Sequence, residues 1–509
     1  MSTRNTGLSL HYQPGTKFMN SALGQLTFGA SFGIVLALCG NSLLDKPLYG
    51  IATVGLAVLV WMVLTHQKLA LFIAVAGLVA LEEFDLSSTE AFFAGGVETS
   101  LLGFRVLGIS FMDLLLLLFL IPALLRTWLR WYETGRLPHF RTDIYFVPIC
   151  AAFIMGALVG WFHKSSFSAF AWEAREIVYL VGWYFVVSRL LTRREDVGNI
   201  VLIMLGVFTV KSIVFLSRFG ASQGLFYGYD FHRFALGSDI PMMALPMMMS
   251  IGALLMFKDA ARHIRAGLAI LVVYWSIMLA ASLGRSTYVL SAAALVVVLM
   301  LLHRQMTWRS VLAGIGLVAV SGLGLFYLVL SPVQRELVGY LLGSAFDWVG
   351  AITISGDLSL GQRVMEIMNI SETLTRAGGW IWGLGWGSVW TELVVIHPFD
   401  KGSFPIQEQM LGVHTSAHLD PVYYLLKVGI LGTILIYFGH FRFVASAVKL
   451  FRREADRTRA LCLLGIIALL IVTIPNYVYF VKIKCLMGIM YGCIGYQTMI
   501  DAGNATVVR

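Results

Sequence analysis

Four residues carry side chains suited to the chemistry of a phosphorylated substrate. They are Arg233 in Tyr-Asp-Phe-His-Arg-Phe (229–234), Arg285 in Ser-Leu-Gly-Arg-Ser (282–286), Arg363, and His418. Arginine stays charged and grips phosphate oxygens with a planar fork. Histidine exchanges a proton near neutral pH and can act as a general base. Several guanidiniums and one imidazole at one interface would suit a lipid diphosphate, which supplies its own leaving group. Each residue alone has a plainer reading. An arginine at the end of an apolar helix often snorkels to the headgroups, a loop arginine is an ordinary surface charge, and a lone interfacial histidine is usually structural. Arg285 fits that reading least, because the turn holding it, between two apolar runs, is too tight to reach far into water.

The elements that must position these residues are apolar helices. Of 509 residues, 58% are hydrophobic and 13% charged, against roughly 25% charged in soluble domains. A soluble core of this size could not bury so much apolar surface and still present a polar exterior. Lipid can cover it. Cys39, Cys150, Cys462, Cys485 and Cys493 all sit in apolar stretches and read as small buried hydrophobes, with no zinc spacing among them. A span needs about 20 apolar residues, which predicts spans at 21–40, 48–64, 68–81, 103–125, 144–162, 174–191, 198–216, 236–257, 266–282, 286–302, 310–330, 419–438, 460–475 and 477–500. The third is short and could be re-entrant. The expected fold is all-α: a polytopic transmembrane helical bundle of about 12–14 spans. It forms a single integral membrane domain over 1–509, with one large exterior loop at 331–418.

Lysine and arginine orient the chain, because short loops rich in them stay in the cytoplasm. Residues 126–143, 189–194, 258–265, 303–309 and 442–459 carry them, and the fourteen spans put all five on one side. Both termini are then cytoplasmic. The acidic stretch Glu82, Glu83, Asp85, Glu90 and Glu98 and the loop 331–418 are exterior, as are Arg233, Arg285, Arg363 and His418. Chemistry there cannot draw on cytosolic nucleotides and needs a pre-activated donor. The net charge of +9 reflects this sidedness, and no nucleic-acid partner is expected.

At His418 the chain resembles a known family. His418-Leu419, nine residues, then Gly429-Ile430-Leu431-Gly432-Thr433 is similar to the pattern of bacterial O-antigen ligases, shared more loosely with O-antigen and exopolysaccharide polymerases. That pattern is His, then Asn, Ser or Gln, nine residues, Gly-x-x-Gly, then Thr or Val. Leu419 departs from it and removes a polar neighbour of the ring. Ser282-x-x-Arg285 opening a span, Leu358-Ser359-Leu360-Gly361-Gln362-Arg363 opening a helix at 361–377, and Gly383-Leu384-Gly385-Trp386-Gly387 resemble further elements of this superfamily. The resemblance runs from about 170 to 440. The glycine stretch is no dinucleotide fingerprint, because no strand–helix unit surrounds it. It reads equally as a tight turn packing Trp380, Trp382, Trp386 and Trp390 or as an aromatic platform for sugar rings.

The resemblance implies a GT-C-type membrane glycosyltransferase of the bacterial inner membrane, acting on the periplasmic face. Its donor would be a polyprenyl (undecaprenyl) diphosphate-linked glycan and its acceptor a glycan or lipid-linked glycan, with polysaccharide assembly proteins as further candidate partners. Arg233, Arg285 and Arg363 would hold the diphosphate, and His418 would take the acceptor's proton. The reaction would invert the anomeric centre without a metal or cofactor. His414 competes with His418 for the base, since one helical turn would put both on one face. Asp420 would orient the imidazole or cap the following helix, and Trp386 would give support. Chain length tilts the reading towards a polymerase over a ligase. A lipid-linked oligosaccharide transporter is the rival from another class, though no internal repeat is evident.

Overall fold

The computed structural model describes residues 47–80, 105–106, 109–135, 140–221, 239–281, 285–303, 358–395, 413–414, 417, 419–475 and 481–507. These residues are mostly helical. Among them thirteen α-helices follow in order: α1 (Pro47–Thr65), α2 (Gln67–Ala80), α3 (Phe111–Thr134), α4 (Phe146–Phe162), α5 (Phe167–Leu190), α6 (Glu195–Ala221) and α7 (Ala244–Met256). Then come α8 (Arg262–Ala281), α9 (Arg285–Leu302), α10 (Leu358–Ala377), α11 (Asp420–Arg453), α12 (Arg457–Thr473) and α13 (Val481–Val507). Two small antiparallel ladders interrupt them. One pairs β1 (Arg105–Val106) with β2 (Ile109–Ser110), and the other pairs β3 (Trp390–Thr391) with β4 (Val413–His414).

Five helical stretches are long and apolar enough to cross a membrane: Phe111–Glu133, Asp143–Phe162, Glu195–Val214, Arg262–Leu279 and Asp420–Arg453. Shorter apolar helices occupy Gln67–Ala80, Ile240–Met256 and Ser286–Leu302. Their outward faces are apolar too: Ile121 is 57% exposed, Ile270 67% and Val289 70%. Water would oppose such faces and lipid accepts them, which marks a membrane protein. The inward faces pack α5 on α13, α4 on α11 and α7 on α12, with a main core and a second, smaller one that gathers Ala152, Ile370, Trp386, Trp390, Tyr423 and Val428. In the main core Phe443 of α11 stacks on Tyr491 of α13, with ring centroids 4.0 Å apart.

Ion pairs gather the basic turns at one end of this bundle. Lys68 pairs with Asp196, and Arg189 with Asp143 at 2.9 Å. Arg194 reaches Glu454 at 3.1 Å and Asp501 at 3.0 Å, while Arg457 meets Asp259 at 3.6 Å. The starts of α2 and α6, the α7–α8 and α11–α12 turns and the last part of α13 therefore share that end. The segment 379–395 and the ladder β3–β4 lie at the other, where α5 and α11 begin.

The helices follow the expected apolar stretches, but the span expected at 103–125 opens with the β1–β2 ladder and turns helical only at Phe111, and two helices run past their expected ends. Residues 442–459, expected as a connecting loop, are helical up to Arg453 and again from Arg457. Lys449, Arg452 and Arg453 are good helix formers, and the last two suit the negative end of the helix dipole. Likewise α3 continues to Thr134 and carries Arg126 and Arg130 inside it, ending at Gly135 in a left-handed cap. The third expected span is the short helix α2. The expected spans 21–40 and 310–330 lie outside the described residues.

Candidate functional site

The site is organised by a break in α11. Asp420 and Pro421 open this helix, where proline's missing N–H costs nothing. The helix then loses its geometry at Gly429, with φ 65° and ψ −170°. That region of backbone space is essentially glycine's alone. The break frees backbone groups on both sides, and the segment 380–385 takes them up. Ile430 N donates to Trp380 O at 2.9 Å and Leu431 N to Ile381 O at 3.3 Å. In return Leu384 N donates to Leu426 O at 2.8 Å and Gly385 N to Lys427 O at 2.9 Å. The two glycine motifs thus interlock. A Cβ on Gly429 would lie 2.3 Å from Ile381 O and one on Gly383 2.5 Å from Lys427 O, so neither glycine could carry a side chain there.

The glycine stretch also seats itself on α4. Gly385 lies against Gly160, where an added Cβ would come within 2.0 Å of the Gly160 nitrogen. Trp386 is buried and donates from its indole nitrogen to Phe153 O at 3.0 Å. Trp390 is buried as well, while Trp380 and Trp382 are exposed. The packing reading therefore holds for Trp386 and Trp390. The exposed pair leaves a platform reading open only for themselves.

A buried ion pair clamps the next two residues. Lys427 of α11 and Glu173 of α5 meet at 2.6 Å, both almost fully buried. Glu173 accepts from Gly387 N at 2.6 Å, and Lys427 donates to Ser388 O at 2.5 Å. Each charge thus holds its partner and one backbone group of the adjacent residues Gly387 and Ser388, which satisfies groups that would be costly to bury alone. Beyond the clamp, Trp390 and His414 face each other across the β3–β4 ladder, with rings 4.4 Å apart. His414 Nε2 lies 3.0 Å from Glu392 Oε1, and both side chains are buried.

The expected residues fall around this frame. Asp420 is buried in the first turn of α11, where a carboxylate suits the positive helix end. The cap position itself belongs to Leu419. Arg363 sits within α10 and is half-buried, on a helix that begins at Leu358. Asn369 of the same helix clasps the segment just after β3: its Oδ1 accepts from Val394 N at 2.8 Å and Val395 N at 3.2 Å. Arg285 opens α9, as its turn predicts, but its side chain lies outside the described residues, as do Arg233 and His418. In sequence His418 falls between Ala417, which is buried, and Leu419, which caps α11. Among the described residues no group of three or more His, Cys, Asp or Glu side chains could hold a metal ion.

Sidedness counting passed over the charges inside the helices. Besides Glu173 and Lys427, these are Glu176 on α5 and Lys484 on α13, and a second group in which Lys211 and Lys482 share Asp239 at 2.7 and 2.6 Å. Both groups lie in the half of the bundle away from the basic turns. The signal was present in the sequence: an ionisable residue inside an apolar span marks a pathway or a site. No protein-family model matches this chain, and no curated protein matches it.

Proposed function

We propose that the chain is a GT-C-like membrane glycosyltransferase of about 12–14 spans, related to O-antigen ligases and polymerases. It transfers a glycan from a polyprenyl diphosphate to a glycan acceptor on the exterior face. One observation carries the reading. The two glycine motifs behind the resemblance are far apart in sequence, yet they lock together at Gly429, nine residues into α11. His418 stands just before that helix in sequence. A motif pair with no structural partnership would have argued for coincidence.

In the proposed reaction Arg233, Arg285 and Arg363 hold the diphosphate and stabilise its charge as it leaves. His418 takes the acceptor hydroxyl's proton, and the oxygen attacks the anomeric carbon from the opposite face, with inversion. The acceptor is a second lipid-linked repeat in the polymerase form, which the chain length favours, and lipid A–core in the ligase form. A transporter of lipid-linked oligosaccharide is the second reading. The shared-aspartate group Lys211–Asp239–Lys482 favours it, because buried charge within helices is what transport pathways use.

Purified full-length protein in nanodiscs, given a polyprenyl-diphosphate-linked glycan, tests the reading. Elongated or transferred product is expected, and its absence together with glycan flux across liposomes would establish the transporter. His418→Ala should lose about a hundred- to ten-thousandfold in turnover with donor binding retained, and His414→Ala should lose less. Wild-type turnover in His418→Ala beside a dead His414→Ala would move the base to the His414–Glu392 pair. Arg285→Ala should lose on the order of a hundredfold, with Arg285→Lys still impaired because it lacks the fork.

A further inference from the structure

A layer of charge crosses the bundle at one level. Asp113 of α3 lies 3.8 Å from Arg175 of α5, and Glu173 of α5 pairs with Lys427 of α11. Lys484 of α13 reaches Tyr424 of α11 at 3.4 Å, and nearby on α13 Lys482 shares Asp239 with Lys211 of α6. Between this layer and the basic turns the same helices carry no Asp, Glu, Lys or Arg over 114–125, 177–188, 197–210, 428–441 and 485–500. At 1.5 Å per residue these runs measure about 18–24 Å. The reach of the flanking side chains brings that towards the hydrocarbon thickness of about 30 Å. The charged layer thus marks one face of the hydrocarbon.

The segment 380–385 joins α11 just inside that layer, where Ile430 and Leu431 bond to Trp380 O and Ile381 O. By sequence it belongs to the long loop 331–418, which hydropathy leaves in water. Its surface is not that of a watery loop. Residues 377–391 carry no charge, and Trp380, Ile381 and Trp382 are exposed together, Ile381 at 58% and Trp382 at 51%. They continue an exposed apolar stripe of α11 formed by Ile430, Ile434, Phe438 and Phe441, whose spacing puts them on one face of the helix. The backbone changes character at the same place. All six N–H groups from Gly383 to Ser388 donate within the protein. Among the described residues, those of Trp380, Ile381 and Trp382 donate to none. Deep hydrocarbon opposes three unbonded N–H groups, and open water opposes the apolar side chains beside them. The boundary between the two suits both, and tryptophan concentrates there. A sugar platform would instead set hydrogen-bonding side chains beside the rings. Here Thr375 is already engaged by the Trp380 indole at 3.1 Å, and Ser388 is buried.

We propose that Trp380, Ile381 and Trp382 form a lipid-docking tip, which seats this loop on the bilayer at the boundary between headgroups and hydrocarbon. The tip goes beyond the glycosyl-transfer reading and stands whether or not the chain transfers glycans. The Gly429 joint and the Glu173–Lys427 pair lock the segment to the bundle, so the tip also fixes the depth of the site's frame.

Spin labels on the full-length protein in nanodiscs test that depth, with the wild-type signal from native cysteines subtracted. Ile381→Cys is compared with Ile434→Cys on the α11 stripe and with Lys164→Cys at the exposed α4–α5 turn. At Ile381 collisions with oxygen should exceed those with a water-soluble nickel chelate, though by less than at Ile434. At Lys164 the chelate should prevail. Chelate access at Ile381 equal to that at Lys164 would overturn the tip, as would a label as deep as that at Ile434. A methyl glycoside that shields Ile381 from the chelate would also overturn it and assign the surface to a sugar. A conservative variant guards against distortion by the cysteine. Among the 13 tryptophans, the fluorescence lost in Trp380→Phe/Trp382→Phe should be the part quenched most by lipids brominated near the headgroup. Equal fractional quenching of wild type and this double variant by such lipids would refute the tip even if the labels agreed.

Discussion

Replacing Gly429 by alanine probes the joint on which the whole site is built. A non-glycine residue at φ 65° and ψ −170° costs of order 1–3 kcal/mol in backbone strain. The added methyl must also displace Ile381 O, Ile381 C and Gly383 N, which lie 2.3, 2.4 and 2.5 Å from its position. These are backbone atoms, so no side chain can swing aside, and such overpacking adds about 1–3 kcal/mol. The sum is about 2–6 kcal/mol, enough to undock the segment 380–387 before the bundle itself unfolds. Thermal melting in mild detergent, together with limited proteolysis of that segment, reads both effects. Gly206→Ala is the control, since nothing lies within 4 Å of its Cβ on the exposed face of α6, and it should be neutral or stabilise by up to about 1 kcal/mol. If Gly429→Ala melts with the wild type and its segment resists protease equally, the interlock is not what holds the site.

Two further outcomes follow from the same geometry. Glu173→Gln leaves the Lys427 ammonium buried without its charge partner and should cost about 3–5 kcal/mol. Glu173→Gln/Lys427→Met should recover part of that in the same melts, and a double variant as unstable as the sum of the singles would argue against a clamp. For topology, impermeant thiol labelling should reach Lys164→Cys from outside the cell. It should reach Asp259→Cys, at an 87% exposed side chain, only after the membrane is opened. The reverse pattern would overturn the orientation and the exterior mechanism with it.

The apolar helices were legible because hydropathy reports them directly, and α4, α8 and α9 begin and end within a few residues of the expected spans. The start of α9 was legible for the same reason: two apolar runs nearly touch, and α9 opens at Arg285. The far end of α11 was not, since Lys449, Arg452 and Arg453 read as loop charges when they are only the wet end of a helix. The interlock at Gly429 was visible as two motifs but not as one joint, because backbone bonds between residues 380–385 and 426–431 leave no trace in local pattern. Trp386 illustrates the limit: its composition suits a sugar platform equally well, and only the position of Phe153 O decides for packing.

The buried charges show why sidedness counting reaches the frame of the site and stops short of its interior. Counting compares loops, so it asks which end of a helix is basic and ignores a lysine in mid-span. Yet Lys427 and Lys484 cannot snorkel to either end. Lys427 lies within hydrogen-bonding distance of Ser388 O, and Lys484 reaches Tyr424 inside the bundle. A lysine that stays inside must be matched by an acid on a neighbouring helix, and α5 offers two, at Glu173 and Glu176. They stand three residues apart, so they share one face of that helix. Glu173 is spent on closing the loop against the bundle. Glu176, on the same face and near the same lysines, has no such duty among the described residues. One face of one helix thus carries both acids, and only the contacts of Glu173 with Lys427 and Gly387 show which of them closes the loop.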